Sequence, residues 1–454
     1  MLVTLLALAG PVLAAGGGIG AQTTQDVVRD GDHFQLVCHF QSEDAADQAL
    51  VAAEAAWSRT LELLDIDEVE PVEDVGLLRV HLYRDTAAYE VVEGVLTHGA
   101  FRSNLAFSHH ATMSSHIALQ PALGDEALAR VGLPTQTLRL LAHESAHLVM
   151  YVHLSNFRSH PEWFAEGLAT WVEEQVCRDL ALAFDAEADP YFSNSLLTVK
   201  RMNEADELPT VEQIMRGQLS ELESDQRYDV HWAFFRFLRT RKHAKQLKQI
   251  VATTRKLGGG KNFDRRLYNE LEQALGKHGI ASLDRGFVKY VASFDPEWDE
   301  VFRSLYRTGD HWTQAAFGRN AIAWRLKPSG KQYTVAGELT ILPGPGKQLN
   351  VFLGRSDAGF FSVAFSAGGS VTLFEYLSAT SAWQRRGDAK CADVRLDEPF
   401  QFSITVDGAA VRVQVNRVDV VAGKAETLDL RGPWGLSAQA RSVGIWKLSK
   451  APGL

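Results

Sequence analysis

The sequence predicts a multidomain α+β chain in which a small α/β lobe and a helical lobe precede an antiparallel β-sandwich. Three patterns carry this expectation. Residues 33–40 and 77–83 alternate apolar and polar positions like half-buried strands, on either side of an Ala- and Leu-rich helical stretch at 45–64. Residues from about 135 to 305 repeat apolar positions at spacings of three and four, broken near Gly258, Gly259 and Gly260. After about residue 312, short alternating runs appear at 333–342, 349–353, 360–365, 371–376, 400–406, 411–415 and 443–448. Gly, Pro, Asn and Asp lie between them, at the spacing of a sandwich.

A length of 454 residues fits two or three domains, and 46% apolar with 22% charged residues is ordinary for globular chains. Forty-six basic residues against fifty-six acidic ones give a net charge of −10, with no dense basic cluster, which argues against a nucleic-acid partner. At the N-terminus, an apolar core at residues 2–8 is followed by the small residues Ala14 and Ala15. The stretch 1–22 resembles a secretory signal peptide, although no Lys or Arg precedes its core. Export to the periplasm or exterior is therefore expected. No other stretch approaches 18 apolar residues, so no stable transmembrane anchor is expected. Cys38, Cys177 and Cys391 are odd in number and far apart, which reads as buried thiols rather than a disulfide framework.

The helix expected at 134–153 carries the most specific motif, His143-Glu144-Ser145-Ala146-His147. Two histidines at i and i+4 lie on one helix face and can share a Zn²⁺ ion, and Glu144 beside them can serve as base to a water. Two residues compete as third ligand. His153 stands six residues beyond His147, but Met150 occupies the position where a glycine would turn the chain back. In a continuing helix His153 faces about 240° away. Glu166 lies on a second helix expected from Pro161 onward, in His160-Pro161-Glu162-Trp163-Phe164-Ala165-Glu166-Gly167-Leu168-Ala169-Thr170-Trp171. An αα-hairpin through residues 154–159 brings Glu166 opposite the histidines, and Gly167 lets the two helices approach closely.

A His-Glu-x-x-His motif followed after 18 residues by a Glu in this setting resembles the gluzincin metallopeptidases, and more closely the bacterial peptidase MA-like domains. The resemblance implies a zincin-like catalytic domain over about 23–308 with one Zn²⁺ per chain, held by His143, His147 and Glu166, and with Glu144 as general base. It also implies an oxyanion donor on a later helix. The helical stretch 225–241 offers Tyr228 first and His231 behind it. The acid that orients a zinc histidine in thermolysin-like members is replaced here by Thr170, a weaker acceptor. Residues 114–120 are expected as the edge strand along which gluzincins pair extended peptides. His109, His110 and His116 have no carboxylate or cysteine at ligand spacing and read as solvated or hydrogen-bond-satisfied histidines rather than a second metal site.

The C-terminal part, 312–454, contains a hairpin at 402–408 feeding Val411 to Asn416, and Gly432-Pro433-Trp434-Gly435-Leu436 before the last strand. These resemble concanavalin A-like jelly rolls, which implies an accessory or carbohydrate-binding domain, with Trp383 or Trp434 as the ring that would stack on a sugar. The leading expectation is thus an exported zinc-dependent peptidase acting on protein or peptide. The alternatives are a zinc hydrolase of a non-peptide substrate and a catalytically weak glycan- or cell-surface-binding protein.

Overall fold

The computed structural model describes residues 26–66, 76–100, 105–119, 128–129, 132–154, 160–180, 190–257, 262–275, 277–301, 305–308, 311–315, 321–327, 329–343, 346–439 and 442–449. The expected leader, the interhelical turn at 155–159 and the break at 258–260 lie outside them. The chain is mixed α+β, with a helical region and β-sandwich-like sheets.

The first sheet contains β1 (Val27–Asp30), β2 (Phe34–Cys38), β3 (Leu78–Tyr83), β4 (Ala106–His109) and β5 (Ser114–Ala118), in the order β1-β2-β3-β5-β4. Strands β2, β3 and β5 are parallel, and β1 and β4 close the two sides antiparallel. The expected edge strand at 114–120 is therefore interior. β5 is paired on both sides and buried along its whole length, and the edge falls to β4. One sheet face is apolar (Phe34, Leu36, Val80, Leu82, Ile117) and packs on α1 (Glu43–Leu64) and the histidine-bearing helix. Helix α1 starts at Ser42, whose side chain accepts from the Ala45 amide.

On the other face, under α2 (Thr86–Thr97), the rings of His39, His81, His116 and Phe107 stack across neighbouring strands, at centroid separations of 5.4, 4.7 and 4.8 Å. His39 Nε2 and His81 Nδ1 share a hydrogen bond of 3.1 Å, and His116 is held by Tyr83 and Ser114, each at 2.9 Å. Burial, followed by the neighbouring His39, lowers the His81 pKa to about 4. Burial and His81 lower that of His116 to about 3. His116 is thus a neutral structural ring.

Helix α3 (Thr135–His153) starts after Pro134, whose ring suits a helix entrance, and ends at Leu154, which turns extended. It lies against α4 (Glu162–Asp179), and α4 packs in turn on α7. The remaining helices are α5 (Pro190–Glu204), α6 (Val211–Met215), α7 (Ser224–Leu238), α8 (Ala244–Leu257), α9 (Phe263–Leu275) and α10 (Lys277–Ala292). One continuous core joins them to the first sheet, with Trp163, Phe164, Phe192, Trp232, Phe234 and Phe235 buried at its centre. Each such ring contributes about 1.5–3 kcal/mol by leaving water.

The remaining strands form two seven-stranded antiparallel sheets. One contains β6 (Trp298–Val301), β9 (Ala321–Arg325), β11 (Gln348–Ser356), β12 (Gly359–Ser366), β13 (Gly368–Leu377), β14 (Ala382–Arg395) and β18 (Gly435–Ala438). The other contains β7 (Leu305–Thr308), β8 (His311–Ala315), β10 (Gln332–Ile341), β15 (Phe400–Asp407), β16 (Ala410–Val415), β17 (Val418–Lys424) and β19 (Val443–Leu448). Their facing apolar positions, such as Leu349, Val351, Phe361, Val363, Ile404 and Val413, make a second core. The sheets take in β6 and β7, which lie before residue 312. The three cysteines are free and buried, with no Cys38–Cys177 bridge, and burial pushes the Cys38 thiol up to about 12. Among the described residues, no helix is long and apolar enough to cross a membrane.

Candidate metal centre and cleft

His143 and His147 stand one turn apart on α3, and Glu166 reaches them from the first turns of α4. His143 Nε2 lies 3.1 Å from Glu166 Oε2 and 3.2 Å from His147 Nε2, and His147 Nε2 lies 3.4 Å from the same carboxylate oxygen. A tetrahedral ion with N and O ligands at about 2.0–2.1 Å keeps those ligand atoms about 3.3–3.4 Å apart. The three distances lie within about 0.3 Å of that spacing, so the donor set is compatible with one tetrahedral metal ion. Among the described residues this is the only cluster of three such side chains with that convergence. His153 is not part of it. Its ring sits edge-on to Trp57 at 5.3 Å, and burial lowers its pKa.

The electrostatics of the cluster are strongly coupled. Burial disfavours charge on His143, but Glu166 and Glu173 outweigh it and hold its pKa well above the ordinary value. Burial also opposes charge on Glu166, yet His147 and His143 beside it hold its carboxyl well below the usual carboxylate range.

Thr170 does not take the orienting role. Its hydroxyl donates to the Glu166 carbonyl at 2.8 Å, a bond within its own helix. Glu173, seven residues after Glu166 and so on the same face of α4, lies beside the His143 ring: Oε2 stands 3.5 Å from Nδ1, and the side chain is buried. An acid behind a ligating imidazole fixes its tautomer and ring orientation.

Glu144 is held from the sheet. Ser108 and Ser115 face each other across β4 and β5. Ser108 Oγ donates to Glu144 Oε2 at 2.6 Å, and Ser115 Oγ donates to the Glu144 carbonyl at 3.1 Å. Glu144 is thus held by serines of two neighbouring strands, β4 and β5.

A cleft of about 420 Å³ opens at this point, lined by His143, Glu144, Thr170 and Glu173, by Leu105 and Ala106 at β4, by Phe192 and Ser195 of α5, and by α7. Helix α7 contributes Asp225, Tyr228, Asp229 and Trp232, spaced as one helix face. Tyr228 is 36% exposed and borders the cleft, whereas His231 is buried behind it and does not line it. Burial lowers the His231 pKa to about 4, against an opposing pull from Glu166. Gly167 brings α7 close, and not α3 as the hairpin reading expects. A Cβ there would stand 2.9 Å from Phe235 Cβ and 3.1 Å from the His231 carbonyl.

On the sandwich, Trp434 is 4% exposed and packs against Trp298, while Trp383 is 52% exposed. Its ring meets Tyr376, Phe360 and Phe374 at 4.9, 5.6 and 6.0 Å.

No family model matches the chain, and no curated protein matches it by sequence. Among solved structures, the chain is similar to carbohydrate-binding module CBM66 from Bacillus subtilis, at 12% identity over 34% of this chain and 93% of that one, with a TM-score of 0.30. It is similar to the galectin LEC-6 of Caenorhabditis elegans, at 11% identity over 30% and 89%, with a TM-score of 0.23. A third likeness is to the exoplasmic/lumenal domain of VIP36, at 12% identity over 34% and 84%, with a TM-score of 0.27.

Proposed function

We propose that this chain is an exported, zinc-dependent hydrolase of peptide bonds. The observation that carries the reading is the mutual spacing of the His143, His147 and Glu166 ligand atoms, near that of a tetrahedral site, beside a cleft lined by His143 and Glu144. When bound, zinc would lower the pKa of a coordinated water and polarise a substrate carbonyl. Glu144, fixed by Ser108, takes the proton from the attacking water and returns it to the departing amine. Tyr228 is placed to donate to the oxygen that gains charge. Glu173 keeps the His143 ring in its binding orientation. His231, buried behind Tyr228, packs the helix that carries the donor.

A peptide suits the cleft better than a small ester or amide because, among the described residues, β4 is the end strand of its sheet and borders the cleft. An extended chain can add to that edge with its own amides and carbonyls. In this reading a catalytic unit spans about 23–308 and a sandwich 312–454, as expected from the sequence, except that β6 and β7, before residue 312, pair into the sandwich sheets.

The exposed Trp383 favours a second, compatible reading for the sandwich, namely carbohydrate binding, in which the indole stacks on a pyranose face. Loss of glycan retention in Trp383→Ala, with Trp434 untouched, is the expected result.

The main reading is tested by zinc content and peptide-library cleavage in the wild type and Glu144→Gln. One zinc per chain in both proteins, with chelator-sensitive cleavage only in the wild type, is expected. Bound zinc without cleavage of any peptide would leave a non-peptide hydrolase or a binding protein as the better reading.

A further inference from the structure

Helix α5 has two distinct faces. Phe192 and Ser195, three residues apart, line the cleft. The Phe192 ring is keyed between Trp232 of α7, at 4.8 Å, and the Arg139 guanidinium of α3, also at 4.8 Å. Its position therefore bears on both the histidine helix and the helix that carries Tyr228.

The other face of α5 is fastened to the segment that enters the sandwich. Ser193 Oγ accepts from the Trp298 amide at 2.9 Å and donates back to the Trp298 carbonyl at 3.4 Å. Lys200 Nζ donates to the Phe294 carbonyl at 2.8 Å. Arg201 Nη2 donates to Asp299 Oδ2 at 3.2 Å, and Arg355 Nη1 of β11 holds the same oxygen at 2.9 Å. Trp298 is buried against Trp312 and Trp434, and its strand β6 pairs with β9, so the anchor is sandwich core.

We propose that Ser193, Arg201 and Asp299 are positioning residues for the cleft: the sandwich, through α5, sets where Phe192 and Ser195 stand and so which substrate side chain fits beside the metal centre. This rests on the hydrolase reading. A buried carboxylate shared by two guanidiniums is a charge-assisted link that resists small displacements. A wall that holds a substrate side chain away from the reacting bond contributes uniform binding, and its displacement reads as a higher KM at little-changed kcat. The sandwich then serves the chemistry as a support of the cleft wall, whether or not it also holds a glycan.

The test uses the full-length zinc-loaded protein and the variants Ser193→Ala and Arg201→Ala. Arg201 has a side chain more than half exposed, so its removal spares the fold, and Arg201→Lys serves as the conservative rescue. Zinc content, kcat and KM on a cleaved peptide, and amide hydrogen exchange across residues 190–204 are measured together. The expected result is one zinc per chain throughout, a KM raised about tenfold at little-changed kcat, and faster exchange in α5, all partly restored by Arg201→Lys. Unchanged exchange and unchanged KM in both alanine variants would overturn the proposal. Absence of any cleavage by the wild type would instead remove the hydrolase reading, and exchange across α5 would still decide the coupling, unchanged protection overturning it.

Discussion

Glu173 stands directly behind the candidate ligand His143. Its carboxylate faces His143 Nδ1 from a buried position, so Glu173→Gln should weaken zinc affinity by about 10- to 100-fold while the protein stays folded. Competition with a chromophoric chelator checks this, and an unchanged affinity would leave Glu173 as packing. Glu144→Gln should behave differently, keeping zinc and losing about 10²- to 10⁴-fold in turnover. The convergence of His143, His147 and Glu166 was legible because two of them share five residues of one helix, and helical geometry alone puts them on one face. Glu173 was not, because the residue four places after Glu166 draws attention to Thr170. Only the packed angle between α3 and α4 brings the next turn within reach of His143. Ser108 was hidden for a similar reason, since its role depends on β4 lying against α3.

At the scale of elements, the bounds of α1, α3 and α4 follow from apolar spacing and from Ser42, Pro134 and Pro161 at their entrances. What alternation cannot give is a strand's neighbours. It specifies which face is buried, and residues 114–118 alternate neither way because both faces are covered. Strands β9, β14, β17 and β18 do not show a clean apolar alternation, β14 being largely polar and half-exposed and β17 apolar in composition but exposed. Gly167 offers a direct test of how α4 meets α7. A methyl group there would meet the His231 carbonyl and Phe235, so Gly167→Ala should cost about 1–3 kcal/mol. It should also move Tyr228 relative to the histidines. Denaturant unfolding checks the cost, and a neutral result would mean that the two helices yield without strain.

For the whole molecule, the histidine stack under α2 links stability to pH. Both His81 and His116 have folded pKa values depressed below the ordinary value near 6.5. The folded state therefore binds fewer protons than the unfolded one once pH falls below about 6.5, and each ring then removes up to about 1.4 kcal/mol of stability per pH unit. The loss continues until pH reaches about 4 for His81 and about 3 for His116. Urea midpoints at pH 7 and pH 5 should differ accordingly, and His116→Gln should flatten the difference. Zinc should act in the opposite sense, since an ion bound only by the folded chain stabilises it by about 4 kcal/mol at a thousandfold excess over its Kd. Hydrolysis by this chain requires that His143, His147 and Glu166 hold that ion. Elemental analysis of the purified wild type, His147→Ala and Glu166→Ala should give one zinc per chain in the first and none in the other two. A wild type without stoichiometric metal, or variants that retain it in full, would contradict the assignment.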